Sequence, residues 1–369
     1  MRTGFVHHER YLWHDTRSAG LYMPAVGYVE PEAHIEGPES KRRFRNLLEV
    51  SGVLDQLVRI NPRPATQEEI LRYHTREYLT SIIARSADNG GDANSEFGAP
   101  FSPGAYEIAM LSAGGVIAAF DGVLKGGVKN AYALVRPPGH HALAHEGCGF
   151  CIFGNAVIAI KHAMATHGVM RVVTIDWDVH HGNGTESAFY DTPDVLTISI
   201  HQDENFPPNS GGVSQAGEGD GEGYNINIPL PAGSGRGAYM AIMERVVTPA
   251  VRAFKPDLIV VPCGFDANAY DPLGRMMLSS EAYRQMTRTV LSLADDVCNG
   301  RLVMCHEGGY SSAYVPFCGQ AVIEEMSGAC APIEDPFCEA IEAMAGQELQ
   351  LHQDVVISQA ESIAKRINT

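Results

Sequence analysis

The chain has 369 residues, 45% hydrophobic and 19% charged, which excludes a disordered or fibrous protein and leaves enough apolar material for a sizeable core. Its formal net charge of -17 opposes a phosphate backbone, and the short basic run KRRFR at 41–45 does not overturn that, so nucleic acid is not expected as a partner while cationic small molecules and lysine-rich peptides are weakly favoured. The N-terminal MRTGFVHHERYLWHD lacks an apolar stretch of signal-peptide length, no apolar run approaches the ~20 residues that span a bilayer, and the eight scattered cysteines read as reduced thiols, so a cytoplasmic protein without membrane contact is expected.

In chain order, Thr66 and Glu69 form a capping box, and Ser102 with Pro103 opens a helix through YEIAMLSAGGVIAAF. From about residue 130 strands alternate with helices: AYALV, a helix through NAVIAIKHAMATHG, RVVTID, a short helix, VLTISI and YNINIPL. A helix near 237–254 follows, then DLIVVPC, a helix capped by Ser279 or Ser280, RLVMC, and helices to the end. This rhythm predicts an α/β fold in three layers, αβα, with a mostly parallel sheet. Stretches 15–40, 86–104 and 207–223 are rich in Gly, Pro and acidic residues and predict long surface loops, which are more often functional than idle. Neither a repeat nor a linker is visible, so residues 1–369 are expected to form one domain.

In a parallel sheet the ligand site lies beyond the carboxyl ends of the strands. AYALV is followed by RPPGHH with His140 and His141, and RVVTI by Asp176, Asp178, His180 and His181. VLTISI contains Ser199 and leads to His201, DLIVVPC leads to Asp266, and RLVMC leads to Tyr310. One such residue would be a helix cap or a solvated loop side chain; five strand ends together point to a site. Asp178 and His180 are two apart, so in an extended segment they leave the same face, and Asp266 can complete the set from a neighbouring strand. Two carboxylates and a neutral imidazole balance a divalent cation and leave a position for water, the pattern of a catalytic zinc site, which iron or manganese also tolerates. The spacing does not fit an EF-hand, no G-x-S-x-G occurs, and the glycines of GEGDGEG are interleaved with acids that repel phosphate. Metal-assisted hydrolysis is therefore the leading reaction class. Other features have ordinary readings. The lone C-x-x-C of Cys148 and Cys151 lacks a second pair, Met276 and Met277 pack, and His7, His8, His162 and His167 read as surface or satisfied core histidines.

The set RPPGHH, GFCIF, DWDVHHGNGT, SIHQ, GFDA, DPLGRM and EGGY, in this order between about 100 and 330, resembles the zinc-dependent histone deacetylase superfamily, specifically its class II type and bacterial amidohydrolases. The resemblance implies an arginase-like fold and hydrolysis of acetyl-lysine or related amides. It implies Asp178, His180 and Asp266 as zinc ligands, and His140 and His141 as catalytic histidines paired with Asp176 and Asn183. Because a carboxylate partner favours imidazolium and an amide does not, His141 is expected to be neutral and to act as base and then acid. Class I relatives carry a carboxylate at the position of Asn183. Tyr310 is implied to bind the carbonyl oxygen, and Gly149, Phe150 and Phe206 to form the acyl-lysine tunnel, although the two phenylalanines by themselves would read as core. A potassium ion is implied near Asp176, Asp178, His180, Ser199 and Ile200, largely through backbone oxygens, and a second monovalent ion near Phe189, Thr192, Val195 and Tyr224.

The acid that relatives place on the rim loop is missing; Gly98 stands near its place, with Glu96 or Asp92 as substitutes. Polyamine-selective relatives carry an acid after DP where this chain has Leu273, so acyl-lysine or a broad acyl amide is preferred over acetylpolyamine. A non-catalytic acyl-lysine binder is disfavoured because the tyrosine and both histidines are present. The 15–40 loop suggests a subunit contact near the tunnel mouth, hence a homodimer or homotetramer.

Overall fold

Eight short apolar runs become the strands of one sheet: β1 (Thr3–Val6), β2 (Val58–Ile60), β3 (Asn130–Ala133), β4 (Val172–Asp176), β5 (Val195–Gln202), β6 (Asn225–Leu230), β7 (Leu258–Cys263) and β8 (Leu302–His306). The computed structural model describes residues 2–94 and 98–368. The strand order is β6-β5-β4-β7-β8-β3-β1-β2, and every neighbouring pair is parallel. The expectation of a mostly parallel sheet thus becomes a wholly parallel one, extended at one side by β1 and the edge strand β2, of four and three residues, too short to show a period.

Strands covered on both faces need apolar residues at successive positions, which is why these runs are nearly continuous in Val, Ile and Leu. In β8, Leu302 and Met304 enter one core while Val303 and Cys305 enter the other. The first core is closed by α1 (Glu39–Val50), α5 (Arg236–Ile242), α6 (Thr248–Phe254), α7 (Ser280–Val297), α8 (Val315–Ser327) and α9 (Leu351–Ala364). The second is closed by α2 (Ala105–Leu124), α3 (Asn155–His167), α4 (Asn183–Phe189) and a helix at Arg76–Ala87.

Several local expectations are refined. The Thr66–Glu69 capping box is present, and Ser279, not Ser280, caps α7 by accepting the Ala282 N–H. Helix α2 starts two residues after Pro103, because Gly104 turns the chain in the left-handed conformation at φ 83° and Ser102 stays in the loop, its N–H bonded to the Asp15 carbonyl. The helix near 237–254 contains a π segment at Met243–Val247, where the Thr248 N–H bonds the Met243 carbonyl. Pro249 follows in the first turn of α6 and has no N–H to continue the ordinary ladder. Against the expectation of no apolar run of spanning length, the 20-residue α2 has a mean hydropathy of 1.5 and meets that test by length and composition; 72% of that window is buried inside the protein, between the sheet and α3.

The loops at 15–40 and 86–104 are pinned by small antiparallel pairings, Ser18–Gly20 with Met23–Pro24 and Glu32–Ala33, and Gly91–Asp92 with Pro100–Phe101. After β4 the chain builds outward through β5 and β6, then returns as β7 on the other side of β4. That reversal opens a crevice at the carboxyl ends of β4 and β7, where both chains turn away from each other.

Candidate active site

Asp176 is the last residue of β4, and Asp266 lies three residues beyond β7. The segment from 177 to 180 is a bend, not the extended strand that the spacing suggested. Asp176 Oδ1 accepts the Asp178 N–H at 3.0 Å, and Asp178 Oδ1 accepts the His180 N–H at 2.9 Å. Two successive Asx turns therefore bring Asp178 and His180 together. His180 Nδ1 lies 3.0 Å from Asp178 Oδ1 and 3.2 Å from Asp266 Oδ2, and one donor atom from each residue falls within 4.8 Å of the others. Backbone donors hold the carboxylates: Val179 N–H binds Asp266 Oδ1 at 2.7 Å, and Gly308 N–H binds Asp178 Oδ2 at 2.8 Å. A Cβ on Gly308 would stand 2.0 Å from Asp266 Oδ2, so glycine is required by space.

The two histidines after β3 pack with their rings tilted by 43° and centroids 3.9 Å apart. His140 Nδ1 is 3.0 Å from Asp176 Oδ2, and His141 Nδ1 donates to Asn183 Oδ1 at 2.8 Å, which leaves the lone pair on His141 Nε2. Burial opposes charge on His140, but Asp178 and Asp176 outweigh it and push its pKa up to about 10. For His141, burial acts with the positive His140 and His180, and its pKa falls well below the usual imidazole range. His141 is thus the neutral member of the pair, as the contrast between its amide partner and the carboxylate of His140 predicts.

Burial raises the Asp266 pKa to about 8 with help from Asp178, and Asp178 and Asp266 together raise His180 to about 10 against the effect of burial. Buried carboxylates this close demand compensating positive charge. With two carboxylates and an imidazole nitrogen converging, the donor set fits a divalent cation of the zinc class.

The His180 ring is 6.0 Å from His141, 6.0 Å from Phe206 and 6.5 Å from Tyr310. Phe206 meets His141 edge-on at 5.0 Å, and Phe150 meets Tyr310 at 5.9 Å. Burial, together with Asp266 and Asp178, lifts the Tyr310 phenol well above its ordinary pKa, so it keeps its proton. Cys148 and Cys151 face each other across a tight turn whose central residues, Gly149 and Phe150, have φ of 48° and 69°. Both cysteines are free, and burial pushes the Cys148 thiol up to about 12, so the pair frames the Phe150 wall as thiols. A Cβ on Gly149 would lie 2.4 Å from His141 Cδ2 and 2.8 Å from Phe206 Cε1, so any side chain there collides with both.

Other expected residues fall elsewhere. His181 turns away to Ser210 and Glu186 at 2.6 and 3.2 Å, and packs at a tilt against His201, which bonds Ser199 Oγ and the Gly211 carbonyl. Ser199 sits beside Asp176 in register, with Ile200 next in β5. Phe189, Thr192, Val195 and Tyr224 gather at the amino end of β5 and β6, the sheet edge opposite the site. Asp92 spends its Oδ1 on the N–H groups of Asn94 and Ala99, while the Gly98 carbonyl accepts the Phe150 N–H at 2.8 Å. Glu96 lies outside the described residues. Leu273 is half-buried, with its N–H on Asp271 Oδ1 and its carbonyl accepting from Asn205.

Three supports escaped the reading of the sequence. Glu307 Oε2 accepts the N–H groups of Gly139 and His140 at 2.7 and 3.0 Å, Asp271 Oδ2 accepts those of Tyr310 and Ser311, and Ser40 Oγ donates to the Gly309 carbonyl at 2.8 Å. Glu307 and Asp271 stand inside EGGY and DPLGRM, so the signal was present without a role attached to it.

A parallel sheet between two helical layers, carrying this rim, defines a three-layer α/β protein of the arginase and deacetylase type. Residues 34–326 match the histone deacetylase domain. The chain is 51% identical over 344 residues to a histone deacetylase-like amidohydrolase of Pseudomonas aeruginosa, covering 92% of this chain and 90% of that protein. It is 38% identical over 326 residues to histone deacetylase 8 of Arabidopsis thaliana, covering 86% and 85%. The crystal structure of the HDA15 HD domain superposes with a TM-score of 0.84 at 30% identity, covering 99% of this chain and 94% of that one. The chain belongs to the histone deacetylase family.

Proposed function

We propose that this chain is a zinc-dependent amidohydrolase that removes acetyl or other acyl groups from lysine side chains or similar amides. The observation that carries the reading is the convergence of Asp178, His180 and Asp266 beside a histidine, His141, whose surroundings keep it neutral. Zinc held by those three residues supplies Lewis acidity, polarising an amide carbonyl and a water molecule. His141 Nε2 takes the proton from the attacking water and returns it to the leaving amine. His140, ionised against Asp176, contributes fixed positive charge, and Tyr310 donates its phenolic hydrogen to the developing oxyanion. Phe150 and Phe206 flank the aliphatic chain of the substrate, and the bare Gly149 leaves room for it.

The same reading gives structural potassium to Asp176, Asp178, His180, Ser199 and Ile200, and a second monovalent ion to Phe189, Thr192, Val195 and Tyr224. The exposed Tyr22, Met23, Val26 and Tyr28 support the 15–40 loop as the subunit contact of a homodimer or homotetramer. Leu273 offers no charge to a distant ammonium, which favours acyl-lysine over acetylpolyamine. A panel of acylated lysine peptides, N-acetylputrescine and small acyl esters, assayed with and without zinc, tests this directly. Hydrolysis of the peptides that disappears on zinc removal is expected. A strong preference for N-acetylputrescine reverses the substrate assignment, and full activity without metal overturns the mechanism.

A further inference from the structure

Away from the catalytic rim, a second group of side chains among the described residues brings three metal-donor atoms together: Asp121 near the end of α2, with His162 and His167 in the last turns of α3. His162 Nε2 is 3.1 Å and His167 Nε2 2.7 Å from the same oxygen, Asp121 Oδ1, and the three donors lie within 4.8 Å of one another. Donors that each bind one divalent ion at ~2.0–2.2 Å stand about 3–3.5 Å apart, so small adjustments admit an ion between them. The three side chains are 22%, 7% and 13% exposed, close enough to the surface for an ion with its water to enter.

A carboxylate also stands behind the first histidine. His162 Nδ1 lies 3.2 Å from Glu69 Oε1, and Arg63 grips both Glu69 oxygens at 2.6 and 2.8 Å. Bound to an ion, His162 would turn its Nδ1–H toward Glu69 and its bare Nε2, now 3.1 Å from Asp121 Oδ1, to the ion. Lys125 occupies the other Asp121 oxygen, Oδ2, at 3.0 Å and leaves Oδ1 to the histidines. The competing arrangement has Arg72, 3.1 Å from His162 Nδ1, donating there, so that Nε2–H simply hydrogen-bonds Asp121.

We propose that Asp121, His162 and His167 form a second metal site, for a divalent ion of the zinc class. Two imidazoles and one carboxylate select a borderline ion over magnesium or calcium. Because α3 leads into the amino end of β4, the ion sits at the sheet edge opposite the catalytic rim and clamps the ends of α2 and α3 to each other.

The test is zinc stoichiometry. The holoenzyme, dialysed against buffered micromolar zinc, should carry two zinc ions per chain by elemental analysis, while His167→Gln and Asp121→Asn should each carry one. Asp178→Asn should also carry one, so loss of the catalytic ion and loss of this one are read separately. Zinc should raise the Tm of Asp178→Asn, magnesium should not, and the rise should vanish when His167→Gln is added. Peptide turnover by His167→Gln at saturating catalytic zinc should equal that of the parent. Should Asp121→Asn fail to fold, His167→Gln, altered at a helix end, carries the test with circular dichroism as its control. A wild-type protein with one zinc per chain, or a count unchanged by His167→Gln, overturns the proposal in favour of the Arg72 hydrogen-bonded arrangement.

Discussion

Replacing Asn183 with Asp exchanges the neutral partner of His141 for a charged one while keeping its size and its 2.8 Å contact. In the parent, burial and the positive His140 hold the His141 pKa well below the usual imidazole range. A unit negative charge about 4 Å from the ring contributes ~4 kcal/mol at an effective dielectric of ~20. At about 1.36 kcal/mol per unit, that raises the His141 pKa by up to about 3 units, and the cost of burying another carboxylate brings the expected rise to about 2. The base must be unprotonated to act, so the rising limb of kcat/KM against pH should move to higher pH by ~1–3 units while the alkaline plateau persists. The assay is initial-rate hydrolysis of an acetyl-lysine peptide across pH, with zinc content held equal for both proteins. A limb that stays in place, or moves to lower pH, refutes His141 as the proton acceptor.

Four further outcomes are expected. His141→Ala should lower turnover by ~10²–10⁴-fold while elemental analysis finds the catalytic zinc retained; full activity would exclude the role assigned to this residue. Tyr310→Phe should lower kcat by ~10²–10³-fold with little change in KM, because the phenol acts on charge that develops only in the transition state. Gly308→Ala places a Cβ 2.0 Å from Asp266 Oδ2 and 2.6 Å from Asp178 Oδ2, and chelator competition should show zinc affinity weakened by ~10–100-fold. Leu273→Glu puts a carboxylate near the rim, and the ratio of N-acetylputrescine to peptide turnover should rise about fivefold, the equivalent of ~1 kcal/mol.

Much of this protein was legible in one dimension. Runs such as VVTI and LIVVPC announce buried parallel strands, and since all such strands point the same way, the polar residues that follow them must share one rim. That argument put Asp176, Asp178, His180, Asp266, His140, His141 and Tyr310 on one rim, where the structure brings them together. It failed for β1 and β2, whose four and three residues carry no period, and for the Ser102 cap, where Gly104 turns the backbone first. It also assumed an extended Asp178–His180 segment, whereas two Asx turns achieve the same convergence.

The chain alone determined which titratable side chains gather and at which end of the sheet, because strand direction and side-chain type are local properties. Only the tertiary structure decided which oxygen faces which nitrogen: that Asn183, 42 positions away, takes the His141 Nδ1–H while burial keeps that ring neutral, and that Asp178 and Asp176 ionise its neighbour. It likewise joined Asp121 to His162 and His167 across two helices. Proton affinity and metal geometry depend on burial and on distances through space, and separation along the chain encodes neither.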